Sequence, residues 1–279
     1  MRKTGKIIVA QFSEFGKNER TFIIFLMGAA VACYFISQFL RFANTITLAV
    51  NPVECYIING SCRESFTCVF LFGALLLTFD MPYFSNRSIY EIARVGKQQW
   101  LVSKILFLVL EILLYNLFIF AITFLLSLFF TKKLVWGIWS PTMKCLTESG
   151  AFANNFDLYF PYQDYTTAVS PWTAVWITFL LNSAYCLVLA LIIMNCNILL
   201  GGTKGWPIGI GVHVLNYVVS NNGHGVLFRF AFSLLDCALP AHQFFNKSFS
   251  DFFLSGILFG SIIFALLLPI KWLRKRLVL

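Results

Sequence analysis

Few side chains in this sequence could do chemistry, and most of those sit beside long apolar runs. Glu111 is the only charge between Lys104 and Lys132. A carboxyl so placed suits a general base, a cargo contact or an ion pair between helices. His213, His224 and His242 are candidate metal ligands, but no His-Glu-x-x-His is present, the spacing that sets two imidazoles on one helix face beside a base. No Cys-x-x-Cys occurs among the eight cysteines. No Ser-His or Asp-Asp pair has a spacing that suggests nucleophilic or paired-carboxylate catalysis. Gly201-Gly-Thr-Lys-Gly205 is glycine-rich but lacks the Gly-x4-Gly-Lys-Ser/Thr spacing that wraps backbone amides round a phosphate. It joins two apolar runs and reads as a turn. The expectation is a chain with no nucleotide site, no metal site and no cofactor of its own.

The elements that must position these residues are helices in a bilayer. Of the 279 residues, 59% are hydrophobic and 12% charged, 32 are Phe, and the mean hydropathy is +0.78. Soluble domains carry about 25% charge. A water-soluble enzyme, a disordered chain and a nucleic-acid-binding domain are excluded on these grounds. Six runs are predicted to span: 21–38, 66–84, 105–130, 172–200, 206–221 and 252–270. The second carries Asp80 near its end, and the fifth is interrupted by Pro207, glycines and His213. Runs of about 20 apolar residues cross about 30 Å of hydrocarbon as helices, and lipid offers backbone amides no water partners. The runs are too continuous for the alternating strands of a barrel. The expected fold is an all-α integral membrane protein, a single transmembrane domain over residues 1–279.

Charge orients it. An even number of spans puts both ends on one side. That side then holds Arg2, Lys3, Lys6, Lys17, Arg20, Arg87, Arg94, Lys97, Lys104, Lys204, Lys271, Arg274, Lys275 and Arg276. The other side holds half as many: Arg41, Arg63, Lys132, Lys133, Lys144, Arg229 and Lys247. The basic excess places both termini in the cytoplasm, and the net charge of +9 is read as cytoplasmic loops. Residues 1–20 have no long apolar core and no small-residue cleavage site, so no cleavable leader is expected. Ile8, Phe12 and Phe15 recur at helical spacing with Lys6, Glu14 and Lys17 elsewhere, which predicts a short helix along the inner membrane face. Cys33, Cys68, Cys186 and Cys196 fall in apolar runs and read as small core residues. Cys55, Cys62, Cys145 and Cys237 fall in outer segments; a Cys55–Cys62 bridge is open to them if that side is oxidising.

The stretch from Asp80 to Lys104 between the second and third spans is the most informative. Asp80 and Pro82 close the second span. Ser88 and Glu91 have the Ser-x-x-Glu spacing of a capping box, with Ile89 as the first helical residue and Gly96 as the stop. Ile89, Ile92 and Ala93 are predicted to share one face, with Arg87, Glu91 and Arg94 on another. A two-turn helix is unstable alone in water and must lean on something. Two readings stand: a docking element for a soluble partner, or an interfacial loop whose cations hold its topology.

The six-span plan, the basic amphipathic start and this hairpin together resemble the permease subunits of type-2 ATP-binding-cassette (ABC) exporters. Within the hairpin, Arg94-Val-Gly-Lys-Gln-Gln-Trp100 followed by Lys104 is similar to that family's arginine, glycine, basic, tryptophan and lysine pattern. The resemblance implies a coupling helix in which Ser88, Ile89, Glu91, Ile92, Arg94, Val95 and Gly96 pass motion from an ATPase to the spans. It implies a separate ABC ATPase dimer carrying ATP and Mg2+, and a second permease copy or a sister permease to complete the pore. It also implies short outer helices between spans five and six.

Polar groups inside the spans mark a pathway or gate, or else tie helices together. Glu111 lies about 10 Å beyond Lys104 at 1.5 Å rise per residue and could reach Lys104 or a water-filled vestibule. Asn116 is off its face. Asn182, Ser183, Asn195 and Asn197 in the fourth run and His213 and Asn216 in the fifth suit hydrogen bonds between helices. The segment 132–171, with Trp136, Trp139, Tyr159, Tyr162 and Tyr165, suits an interfacial cap or lid. The apolar stretch 226–239, broken by Arg229 and Asp236, suits a re-entrant or interfacial helix. The expected function is export of an amphipathic substrate, such as a peptide, drug or lipid, across a bacterial plasma membrane. The lipid bilayer is a partner and nucleic acid is not. The competing classes are a non-transporting immunity or sensor protein and an intramembrane metalloprotease.

Overall fold

A computed structural model describes residues 2–82, 86–148, 163–222, 233–243 and 250–269. These residues are helical throughout, apart from turns and an isolated bridge between Val50 and Leu134. Helix α1 (Arg2–Phe15) packs through Phe12 and Phe15 on Phe107, at ring-centroid distances of 5.0 and 5.8 Å. Asn18 then caps α2 (Glu19–Ile46) by accepting from the Arg20 amide at 3.0 Å. Its buried stripe of Ile24, Gly28, Ala32, Ile36, Phe39 and Ala43 follows the 3.6-residue period.

The predicted second span is built differently. Helix α3 (Glu54–Ser61) turns by 86° into α4 (Arg63–Thr78) at Cys62. A π-helical stretch, Phe66–Leu71, lies near the start of α4, and such wide turns leave helices locally re-aimed. The Tyr115 hydroxyl donates to the Val69 carbonyl there at 2.6 Å. Its ring lies against Gly28 and Gly73, where any Cβ would collide with it. Glycine at both places lets α2 and α4 close on this tyrosine.

Beyond Pro82 come α5 (Asn86–Val95) and α6 (Lys97–Phe130), separated by Gly96 alone. The third span is thus longer than expected, starting eight residues before position 105. After the Val50–Leu134 bridge come α7 (Pro141–Glu148) and α8 (Gln163–Ala168). Then α9 (Pro171–Leu200) starts with Pro171 at its first position and the Ser170 hydroxyl on the Thr173 amide, a favourable start. Gly201 and Gly202, at φ +75° and +73°, turn the chain tightly into α10 (Gly205–Asn222). This is the turn expected of that glycine-rich run. Gly205 and Gly209 then let α10 close on Ile193. Short helices α11 (Leu234–Ala238) and α12 (Pro240–Gln243) precede α13 (Ser250–Leu267).

Among the described residues, α2, α6, α9 and α13 are long and apolar enough to cross a membrane, and the bent α3–α4 pair makes a fifth if it counts as one span. The described helices thus account for four or five of the six expected spans. The second run is helical only to Thr78, and its helix α4 joins α3 at an angle of 86° across Cys62. The fifth is a full helix, but Pro207, His213 and Asn216 dilute its apolar character. Helix α9 is the centre, with 67% of its most apolar window buried against 22% for α13. Chain direction puts the start of α2, the end of α4, α5 and the start of α6 at one end, called the near end. The start of α4, the end of α10 and α11 lie at the far end. The stretch 226–232, the aromatics Tyr159 and Tyr162, and the basic residues 271–276 lie outside the described residues.

Candidate functional site

Two features of the near end hold the residues singled out from sequence. The first is α5. Its stop is as expected: Gly96 takes φ +85°, a left-handed value that favours glycine, and its amide donates to Ile92 at 2.8 Å. Its start is not. The helix reaches back to Asn86, a residue type suited to helix starts, so Ser88 is a buried first-turn residue and not the cap. The face differs too. Ser88 and Ile92, one turn apart, are the buried pair, while Ile89, Tyr90, Ala93 and Arg94 point outward. Ile89 is 50% and Tyr90 77% exposed. Ile89 and Ala93 do not share the Ile92 face, because a buried stripe this narrow takes only the i,i+4 pair. Glu91 and Val95 sit at the rim, half-buried.

The second feature is a cavity of about 240 Å³ under α1. Gln11 and Glu14 come from α1, Arg20 from the start of α2, Asp80 from just past α4, and Lys104 and Glu111 from α6. Phe15, Asn18, Thr21, Leu77, Met81 and Phe107 also line it. Arg20 organises one side. It pairs with Asp80 at 3.0 Å, lies 3.9 Å from the centre of the Phe79 ring, and donates to the Leu76 and Leu77 carbonyls. Those carbonyls are among the last of α4, which a helix cannot satisfy internally and where cations are favoured. Asn197 of α9 closes the same corner. It donates to the Phe79 and Met81 carbonyls at 3.0 and 2.7 Å and accepts from the Gly205 amide at 2.7 Å. The other side is unfinished. Oε2 of Glu111 and both amide atoms of Gln11 are buried without a hydrogen-bond partner. Lys104, also buried, lies 5.3 Å from the centre of the Trp100 ring.

The remaining pathway candidates are ties between helices. Asn116 donates to the Ser183 hydroxyl at 2.6 Å, and Asn182 to the Gly60 carbonyl at 3.3 Å. His213 lies between the Tyr185 hydroxyl at 2.9 Å and the Thr67 hydroxyl at 3.4 Å. The structure brings Glu111 to the near-end cavity and leaves Asn116, Asn182 and His213 in separate contacts. Among the described residues no group of three or more His, Cys, Asp or Glu is placed to hold a metal. Cys55 and Cys62 are unbridged: Cys55 is buried in α3, while the Cys62 thiol donates to Glu64 at 3.0 Å.

Two polar centres at the far end escaped the sequence reading. Glu54 is fully buried and accepts from the Ser140 amide at 2.7 Å, the Ser140 hydroxyl at 2.6 Å and the Asn51 amide at 3.2 Å. The signal was present: Asn51-Pro-Val-Glu54 has the Asn-x-x-Glu spacing of a capping box. Oδ1 of Asp236 accepts from Arg63 at 3.2 Å and Ser220 at 2.7 Å, and Arg63 also donates to Asn221 at 2.9 Å. Beside it, burial pushes the Cys237 thiol up to about 12, with the Asp236 charge adding to the shift. That thiol is neutral at physiological pH and belongs to the packing. No family model matches the chain, nor does a curated protein or a solved structure.

Proposed function

We propose that this chain is the membrane permease subunit of an ABC exporter, with its ATPase on a separate partner. The observation that carries the reading is α5. It is a short helix held by Ser88 and Ile92 that turns Ile89, Tyr90 and Ala93 outward beside Arg94. Contiguous exposed apolar side chains with a charged rim mark binding surfaces. One glycine links α5 to α6, whose 34 residues span about 50 Å at 1.5 Å each. A push on α5 is thereby delivered to a membrane-crossing helix. In this reading α4 and α10 complete six crossings. Helix α10 suits that role, because its polar His213 and Asn216 are buried against neighbours while Val214, Leu215 and Val218 face outward. Both termini are cytoplasmic in a bacterial plasma membrane, a second permease copy or sister permease completes the pore, and the cargo is an amphipathic molecule, with small peptides first.

Purification from the native cell in gentle detergent, followed by mass spectrometry, tests this. A stoichiometric soluble ATPase is expected. Its absence, repeated after crosslinking, overturns the reading in favour of a non-transporting immunity or sensor protein. With the ATPase in hand, Ile89→Glu, Arg94→Glu and Gly96→Pro should each lower cargo-stimulated ATP turnover while membrane insertion is kept. Normal turnover in all three would remove α5 from the coupling path.

A further inference from the structure

The near-end cavity is a built polar site with unsatisfied groups of both kinds. Glu111 is 2% and Gln11 7% exposed, and Glu111 Oε2 with both Gln11 amide atoms lack hydrogen-bond partners. A buried polar atom without a partner costs about 1–3 kcal/mol, and here three such atoms belong to two residues lining one cavity, which favours an occupant. An occupant that satisfies them donates to Glu111 and to the Gln11 oxygen and accepts from the Gln11 nitrogen, with the buried Lys104 beside it. A lone anion could donate neither to Glu111 nor to the Gln11 oxygen, and Arg20 is already paired with Asp80. Lys104 in the same space disfavours a bare metal ion. A trimethylammonium has no N–H to offer either oxygen. A primary ammonium beside an anionic group meets every requirement.

We propose that this cavity holds an ethanolamine phosphate, its ammonium between Glu111 and the Gln11 oxygen and its phosphate toward Lys104, carried on a phospholipid. The volume, about 240 Å³, is below that of drug-sized pockets at about 300–1,000 Å³ and suits a headgroup. The position suits a lipid as well. The cavity opens where α2 and α6, both apolar enough to span, begin. The same helices turn Phe22, Leu26, Leu106 and Leu110 outward, an apolar surface for acyl chains. The inference goes beyond the transport reading and needs no ATPase.

The test uses the full chain in nanodiscs of phosphatidylcholine containing a minority of phosphatidylethanolamine. Lipids retained after gentle extraction are counted by native mass spectrometry. Phosphatidylethanolamine should be enriched over its bulk share by about fivefold, the equivalent of one good hydrogen bond. Gln11→Leu and Glu111→Gln should each return the ratio to the bulk value. Gln11→Leu decides alone if the other variant does not fold. A second arm adds soluble phosphoethanolamine to phosphatidylcholine-only nanodiscs. A thermal shift there that is lost in Gln11→Leu keeps the ligand chemistry and moves its source to the free compound. A bulk lipid ratio in the wild type with no shift overturns the proposal, and so does enrichment that both variants retain.

Discussion

The two ends of the molecule use charge in opposite ways. At the far end, Arg63 and Asp236 are 16% and 7% exposed, and their bonds to Ser220 and Asn221 join α4, α10 and α11. His242 of α12 is 3.3 Å from Arg63. At the near end, Arg20 and Asp80 are 33% and 27% exposed, and the more deeply buried Glu111 beside them has an oxygen with no partner. The far cluster ties α4, α10, α11 and α12 together at that end. The near cluster spends Arg20 on the end of α4 and keeps a cavity open. Arg63 Nε and Asp236 Oδ2 are also buried without a hydrogen-bond partner, so what separates the two ends is the convergence of bonds on Asp236 Oδ1 and the cavity beside Glu111.

The most damaging break is predicted at the staple. Asp236→Ala would leave Arg63 buried without its counter-charge, which costs about 3–5 kcal/mol for buried pairs. Thermal unfolding in detergent should show a larger loss for it than for Glu54→Ala or Arg20→Met. A loss comparable to that of a surface charge would mean the far end is not held by this pair. Next is Glu54→Ala, which strips the Ser140 and Asn51 amides of their acceptor and should cost about 2 kcal/mol. Glu54→Gln, which keeps an acceptor, should recover part of it. Equal losses in the two would show that packing, and not the hydrogen bonds, makes Glu54 matter.

The near end should be more forgiving. Arg20→Met removes a part-exposed pair, for which about 1 kcal/mol is typical, plus its hold on the α4 carbonyls. A loss as large as that of Asp236→Ala would erase the distinction between the ends.

The unequal legibility of these regions has a physical cause. Apolar runs of spanning length are written in consecutive residues, so α2, α6, α9 and α13 were visible, as were the Gly96 stop and the Gly201–Gly202 turn. The break at Cys62 was not, because the bend depends on tertiary contacts that consecutive residues do not record. Glu111 stood out as a lone acid in an apolar run. Its companion Gln11 did not, although it lies one helical turn from both Ile7 and Phe15 on the buried side of α1. Arg63 and Asp236 lie 173 residues apart, and a single sequence offers no signal for so distant a pairing. The outward turn of Ile89 was misread because periodicity names a stripe without saying which edge of it is covered.

One matched pair of substitutions isolates what separates the two ends. Asp236→Asn and Glu111→Gln make the same chemical change, a carboxylate to its isosteric amide. At Asp236 the lost charge faces Arg63, so stability should fall clearly even though the shape is kept. Each carboxyl has one unpartnered oxygen, but the ion pair with Arg63 belongs to Asp236; at Glu111 stability should change by less than about 1 kcal/mol in either direction. The measurement is the midpoint of thermal unfolding for both variants in the same detergent. Equal losses would mean that Glu111 is bound into the fold as tightly as Asp236, and that the near-end cavity is packing rather than a site. A near-neutral Glu111→Gln beside a costly Asp236→Asn would mean that folding does not need the Glu111 charge. Whatever requires that carboxyl then acts on the finished structure.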